Sequence, residues 1–138
     1  MRALITGGAG FIGYHLSLMM ASAGHDVIVC DNLFRGVMDE DLTSLLQHSR
    51  VSFQELDLSD RASLQSLPRD VDVVFHLAAI NGTRHFYEMP YTVLRENLLA
   101  TINVLDWIQD SDCRRLIWPS SSEVYAGSVE TGSAPIPT

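Results

Sequence analysis

Residues 5–13 read Ile-Thr-Gly-Gly-Ala-Gly-Phe-Ile-Gly, with Gly7, Gly10 and Gly13 placed where an apolar strand gives way to a helix. Such a junction can seat a diphosphate, because the chain must turn tightly, present bare backbone N–H groups to an anion and aim the partly positive end of a helix at it. Gly7 permits the turn, Gly10 the close approach of phosphate oxygens, and Gly13 the close packing of helix on strand. A glycine-rich loop that binds nothing has the same composition, so other residues must decide. Asp31 lies 18 positions beyond Gly13, at the end of the second apolar run. There a carboxylate can accept hydrogen bonds from both hydroxyls of an adenosine ribose, and its charge repels a 2′-phosphate, which favours NAD over NADP. Two alternatives stay open: Asp31 can cap a turn with Asn32, and Arg35 nearby can accommodate a phosphate. Ser120, Ser121, Ser122 and Glu123 follow the fifth apolar run. Reacting groups sit at such strand ends in open α/β sheets, although a serine-rich turn can equally serve local backbone bonding.

The elements that must position these residues alternate between apolar runs and amphipathic stretches, the pattern of a parallel sheet covered by helices. The expected strands are Arg2 to Thr6, Asp26 to Cys30, Val51 to Leu56, Val71 to Leu77 and Arg115 to Pro119. A helix from Phe11 to Ala23 is expected to stop at a left-handed Gly24. Leu42, Leu45 and Leu46 have helical spacing, and a short helix is expected from Asp60 to Leu67, before Pro68. Pro90 suits the first turn of a long helix from Tyr91 to Gln109. In that helix Leu94, Leu98, Thr101, Ile102, Leu105 and Ile108 are expected to face inward. Right-handed crossovers give an α/β, Rossmann-type doubly wound sheet of order 3-2-1-4-5, with a ligand at the switch point between strands one and four. Strand five, carrying Leu116, Ile117 and Trp118, is an apolar edge that either a further part of the polypeptide or a partner, such as a second copy, is expected to cover.

The chain of 138 residues is long enough for one core and too short for two ordinary domains. Apolar residues form 46% of it, with no run of bilayer-spanning length and no signal-peptide pattern, so a soluble, cytoplasmic protein is expected. A net charge of −8 opposes binding to nucleic acid or to an anionic membrane. Cys30 and Cys113 read as reduced structural thiols, and the histidines His15, His25, His48, His76 and His85 form no ligand-spaced pair, so no metal is expected.

Six separated motifs in order, TGGAGFIG at 6–13, DNL at 31–33, DL at 57–58, HLAA at 76–79, Asn97, and SSSEVY at 120–125, resemble the extended short-chain dehydrogenase/reductases. The likeness is to their NAD-dependent nucleotide-sugar epimerases, dehydratases and decarboxylases. It implies a truncated NAD-binding Rossmann domain over residues 1–125, and a Gly/Ser/Pro-rich loop over 126–138 leading toward a catalytic helix and substrate domain outside this chain. Phe11 and Ile12 join the three glycines at the cofactor, with Asp31 and Asn32 at its ribose. Asp57 would bond the adenine amino group and Leu58 pack on the ring; strand-end capping and core packing are the alternatives. Leu77, Ala78 and Ala79 would line the cofactor, Asn97 would tie its helix to neighbouring backbone, and Asn81, Gly82, Thr83 and Arg84 would face a substrate sugar. Ser121 matches a Ser/Thr that bonds the sugar hydroxyl being oxidised, and Glu123 an acid used in proton transfer. Ser122 stands where the 4,6-dehydratases usually carry aspartate, which leaves epimerisation first and decarboxylation next.

All nine basic residues are arginine, so no Tyr-x-x-x-Lys exists. In the family that lysine stabilises a phenolate that removes a hydroxyl proton. Position four after Tyr125 is Val129, after Tyr91 is Arg95, and after Tyr87 is Tyr91. Three readings follow: part of a longer enzyme, an NAD-holding sensor, or a half-protein completed across strand five. By itself the chain is expected to turn over no nucleotide sugar.

Overall fold

The computed structural model describes residues 1–121 and 124. Five parallel strands stand in the order β3-β2-β1-β4-β5: β1 Arg2–Thr6, β2 Asp26–Asp31, β3 Val51–Glu55, β4 Val73–His76 and β5 Arg115–Ile117. Thus the order and every strand expected from sequence are present, with β2 one residue longer and β3, β4 and β5 shorter at their ends. Helix α1 spans Phe11–Ser22, α2 Glu40–Leu45, α3 Thr83–Glu88 and α4 Pro90–Gln109. Gly24 ends α1 at φ +83°, as its position implied. Between β3 and β4 only a single 3₁₀ turn forms, Ser63–Ser66, where a longer helix was expected. Asp60 explains the shortening: its carboxylate accepts from Ala62 N–H at 3.0 Å and from the Ser63 hydroxyl at 2.8 Å, a local turn that competes with helical bonding.

Alternation along the strands sends side chains to two faces. Leu4, Ile28, Cys30 and Val74 pack with Leu56, Leu64, Val104 and Trp107 on the α4 side, while Ala3, Ile5, Val27, Val29 and Val73 pack with Met20 and Ala21 on the α1 side. Burial on both faces is what the unbroken apolar runs of β1, β2 and β4 required.

The inward face of α4 differs from the expectation. Leu94, Leu98, Ile102 and Leu105 are exposed, at 62, 52, 50 and 40%. The face against the sheet carries Asn103, Val104 and Trp107, which are buried, with Ala100 and Ile108 packed on the core. Polar residues tolerate that face because backbone partners await them: Asn103 Nδ2 donates to Leu58 O at 2.8 Å and to Ser59 O at 3.0 Å. The helix therefore has two apolar sectors, and the more apolar one points away from this sheet. At the sheet edge, Ile117 and Trp118 are exposed beside β5.

Candidate functional site

The strand ends converge around the turn from β1 into α1. Gly7 adopts φ +69°, and a Cβ there would stand 2.7 Å from Ala78 N, so the turn lies directly against the backbone that follows β4. A Cβ on Gly13 would meet the Gly7 carbonyl oxygen and, at 2.6 Å, Gly8 Cα. Only a bare α-carbon lets α1 approach its own loop this closely. Gly10, the N-cap of α1, has only Gly7 O within reach of a Cβ, and no side chain caps the helix. Its first turn contains no acidic residue. Here the N–H groups of Phe11, Ile12 and Gly13 lack helical acceptors, as at any helix start, and no acidic residue of the helix itself offsets the positive end of its dipole. An anion at Gly10 would satisfy both, which is a fit to a diphosphate.

Asp31 is tied to the same loop. Its Oδ2 accepts from Ala9 N–H at 3.0 Å and its Oδ1 from Leu33 N–H at 2.8 Å, which aims the carboxylate across the end of the glycine loop. Leu33 holds φ +56° to make that turn, and Asn32 Oδ1 accepts from Phe34 N–H at 3.0 Å. The turn-capping alternative is therefore realised, and it orients the carboxylate. Gly36 packs onto Ala9, where a Cβ would lie 2.5 Å from the alanine Cβ. Arg35 does not approach Asp31 through a bond; its guanidinium donates to the Asn81 carbonyl at 2.8 Å and to the Asn81 side chain. With Phe34 and His85 stacked obliquely at 6.2 Å, the loop after β2 thus reaches the loop after β4.

Asp57 is exposed, and its Oδ1 accepts from Ser59 N–H at 2.8 Å. Leu58 is 6% exposed inside the α4-side core, so its side chain has the packing role of the two expected for it, and is not presented as a ring platform. Leu77 and Ala78 are half-buried and Ala79 is exposed. Asn97 grips the next residue on both sides, accepting from Ile80 N–H at 2.7 Å and donating to Ile80 O at 2.9 Å. Asn81, Gly82, Thr83 and Arg84 are exposed at the head of α3, a helix the sequence reading lacked. Ser121 is exposed beyond β5, and its carbonyl accepts from Val124 N–H at 3.3 Å. Glu123 and the loop expected over 126–138 lie outside the described residues.

Two residues of the quoted motifs, Thr6 and His76, have partners that the sequence did not show. Thr6 and His76 are register partners on β1 and β4, both buried, and Thr6 Oγ1 lies 2.8 Å from His76 Nδ1. The Thr6 hydroxyl also accepts from Ala78 N–H at 3.2 Å, and His76 Nε2 lies 3.2 Å from Thr101 Oγ1. Burial lowers the His76 pKa to about 4, so the ring is neutral. A polar residue closing each of two apolar runs, 3–5 and 73–75, was the available signal. Burial, with the Asp31 charge adding, pushes the Cys30 thiol up to about 12, which leaves it an inert part of the core. Among the described residues no three His, Cys, Asp or Glu side chains gather as a metal site, and no helix is long and apolar enough to cross a membrane. An open hollow of about 590 Å³ beside α2, lined by Met38, Thr43 and Gln47 among others, shares no residue with the glycine loop.

Comparison with known proteins agrees with this geometry. The profile of the NAD dependent epimerase/dehydratase family matches residues 3–137. A UDP-N-acetyl-alpha-D-glucosaminuronate decarboxylase of Bacillus cytotoxicus is 36% identical over 126 residues, covering 90% of this chain and 37% of the relative. A UDP-glucose 4-epimerase of Mus musculus is 32% identical over 133 residues, covering 90% of this chain and 38% of its own length. The crystal structure of UDP-glucose 4-epimerase from Bifidobacterium longum in complex with NAD⁺ and UDP superposes with a TM-score of 0.82 at 27% identity, over 91% of this chain and 38% of that one. The chain spans about two fifths of the length of such relatives. From the glycine turn, the carboxylate beyond it, the strand order and these matches, the chain belongs to the NAD dependent epimerase/dehydratase family.

Proposed function

We propose that this chain is the NAD-holding part of an enzyme that modifies a nucleotide sugar by transient oxidation and hydride return, with epimerisation as the net reaction. The observation that carries the reading is the pairing of an uncapped α1 N-terminus with an Asp31 carboxylate fixed to the same loop through Ala9 N–H. NAD, when bound, supplies the acceptor and donor of hydride. The chain's own part is to bind and orient. Phe11, Ile12 and Gly13 N–H groups hold the diphosphate over Gly10, and Asp31 with the Asn32 turn holds the adenosine ribose. Asp57 meets the adenine amino group. Leu77, Ala78 and Ala79 form the wall, and Ser121 bonds the sugar hydroxyl that loses hydrogen, with Glu123 moving a proton. Engagement of Arg35 by Asn81 favours NAD over NADP, since the guanidinium is committed elsewhere.

Decarboxylation is the second reading, favoured by the 36% identity to a nucleotide-sugar decarboxylase. Without a Tyr-x-x-x-Lys pair the chain alone has no group to generate the phenolate base, so its own turnover is expected to be nil. The calorimetric test compares NAD with NADP. Wild type should bind NAD at least ~10-fold more tightly, which corresponds to about 1.4 kcal/mol, and Asp31→Ser should erase that preference. Equal affinity of wild type for both would refute the ribose assignment.

A further inference from the structure

Three side chains outside the diphosphate and ribose contacts, Thr6, His76 and Thr101, form a hydrogen-bonded chain that ends on the Asn97 backbone carbonyl and whose proton positions can be worked out. The Thr101 hydroxyl donates its only hydrogen to Asn97 O at 2.9 Å. Toward His76 Nε2, at 3.2 Å, it can then only accept, so Nε2 carries the ring hydrogen. In a neutral imidazole Nδ1 is consequently the acceptor, and the Thr6 hydroxyl at 2.8 Å must be its donor. The Thr6 oxygen is left free to accept from Ala78 N–H, as it does at 3.2 Å. Asn97, where the chain ends, grips both backbone groups of Ile80. Residues 77–80 are therefore pinned at Ala78 from β1 and at Ile80 from α4, and His76 joins the two anchors. Gly7 is the surface they are pinned against, since a Cβ there would meet Leu77 C at 2.9 Å and Ala78 Cα at 2.8 Å.

We propose that His76 is a positioning residue: as the Nε2–H tautomer, through Thr6 and Thr101, it holds the Leu77–Ile80 backbone at the distance from Gly7 that cofactor binding requires. This rests on the NAD reading above for what the wall is for, though not for the proton arrangement. His76 touches no reacting atom in this scheme. Protonating the ring, or turning it to the other tautomer, would put a hydrogen on Nδ1 and orphan the buried hydroxyl hydrogen of Thr6, and burial holds the ring neutral.

The test uses the full chain, labelled with ¹⁵N, as wild type, Thr101→Val, which keeps shape and loses the hydroxyl, and Thr101→Ser, which keeps the hydroxyl. Imidazole ¹⁵N shifts should report Nε2 protonated in wild type and Thr101→Ser, and a changed pattern in Thr101→Val. Amide exchange at Ala78 should quicken at least ~10-fold in Thr101→Val, which corresponds to about 1.4 kcal/mol. At Val29, in β2, it should hold steady. The dissociation constant for NAD should rise in the same variant and return in Thr101→Ser. A wild-type ring protonated on Nδ1 overturns the proposal, as does NAD binding of equal strength in all three proteins. Failure of wild type to bind NAD at all overturns instead the cofactor reading on which the wall's purpose depends.

Discussion

Gly13 faces two opposed effects on replacement by alanine. In an α-helix the change would gain about 1 kcal/mol in propensity, yet the new Cβ would meet the Gly7 carbonyl oxygen and stand 2.6 Å from Gly8 Cα, both backbone atoms that cannot swing aside. Overpacking of this kind costs about 1–3 kcal/mol, so Gly13→Ala should lower the urea midpoint despite the better helix former. His76 supplies a pH dependence. Its folded pKa of about 4 lies below the ordinary 6.5, so the unfolded chain binds more protons between those values. Stability from this group is whole above pH 6.5 and falls as the pH drops toward 4, by on the order of 3 kcal/mol in all. Urea unfolding at pH 7, 5.5 and 4.5 should show that slope in wild type and a shallower one in His76→Asn. The glycines and Asp31 were legible in sequence because spacing alone constrains a turn and a strand end. The partners of His76 were not, since Thr6, His76 and Thr101 meet only through strand register and helix packing.

At the scale of elements, α4 fixes two of the loops that form the site. Asn97 holds the segment after β4, and Asn103 holds the carbonyls of Leu58 and Ser59 after β3. Asn103→Leu would keep the branched side-chain shape and leave both carbonyls without this donor, a loss of about 1–3 kcal/mol. Amide exchange should quicken around Asp57 to Asp60 more than in β1, and equal change in both would point to general loosening. The helix itself was readable from Pro90 and its apolar period, but its orientation was not. Its most apolar face turns outward, and the inward face carries asparagines whose suitability depends on carbonyls far away in sequence. Short α3 was missed for a related reason: it is an exposed turn of helix with no buried residue to give a period.

For the whole molecule, alternation of apolar runs and helices was enough to set the sheet order, because crossover handedness leaves few arrangements. The same molecule exposes an apolar row on α4, Tyr91, Leu94, Leu98, Ile102 and Leu105, together with Ile117 and Trp118 beside β5. Surfaces of this kind drive association, so sedimentation of the isolated chain should depend on concentration, and Leu98→Glu with Ile102→Glu should reduce the dependence. The central claim concerns the head of α1, where the β2 carboxylate meets its loop. The most direct measurement is an amide NMR titration of the chain with NAD. Phe11, Ile12, Gly13 and Leu33 should shift first and furthest; no shift at millimolar NAD, or shifts confined to the hollow beside α2, would contradict the account.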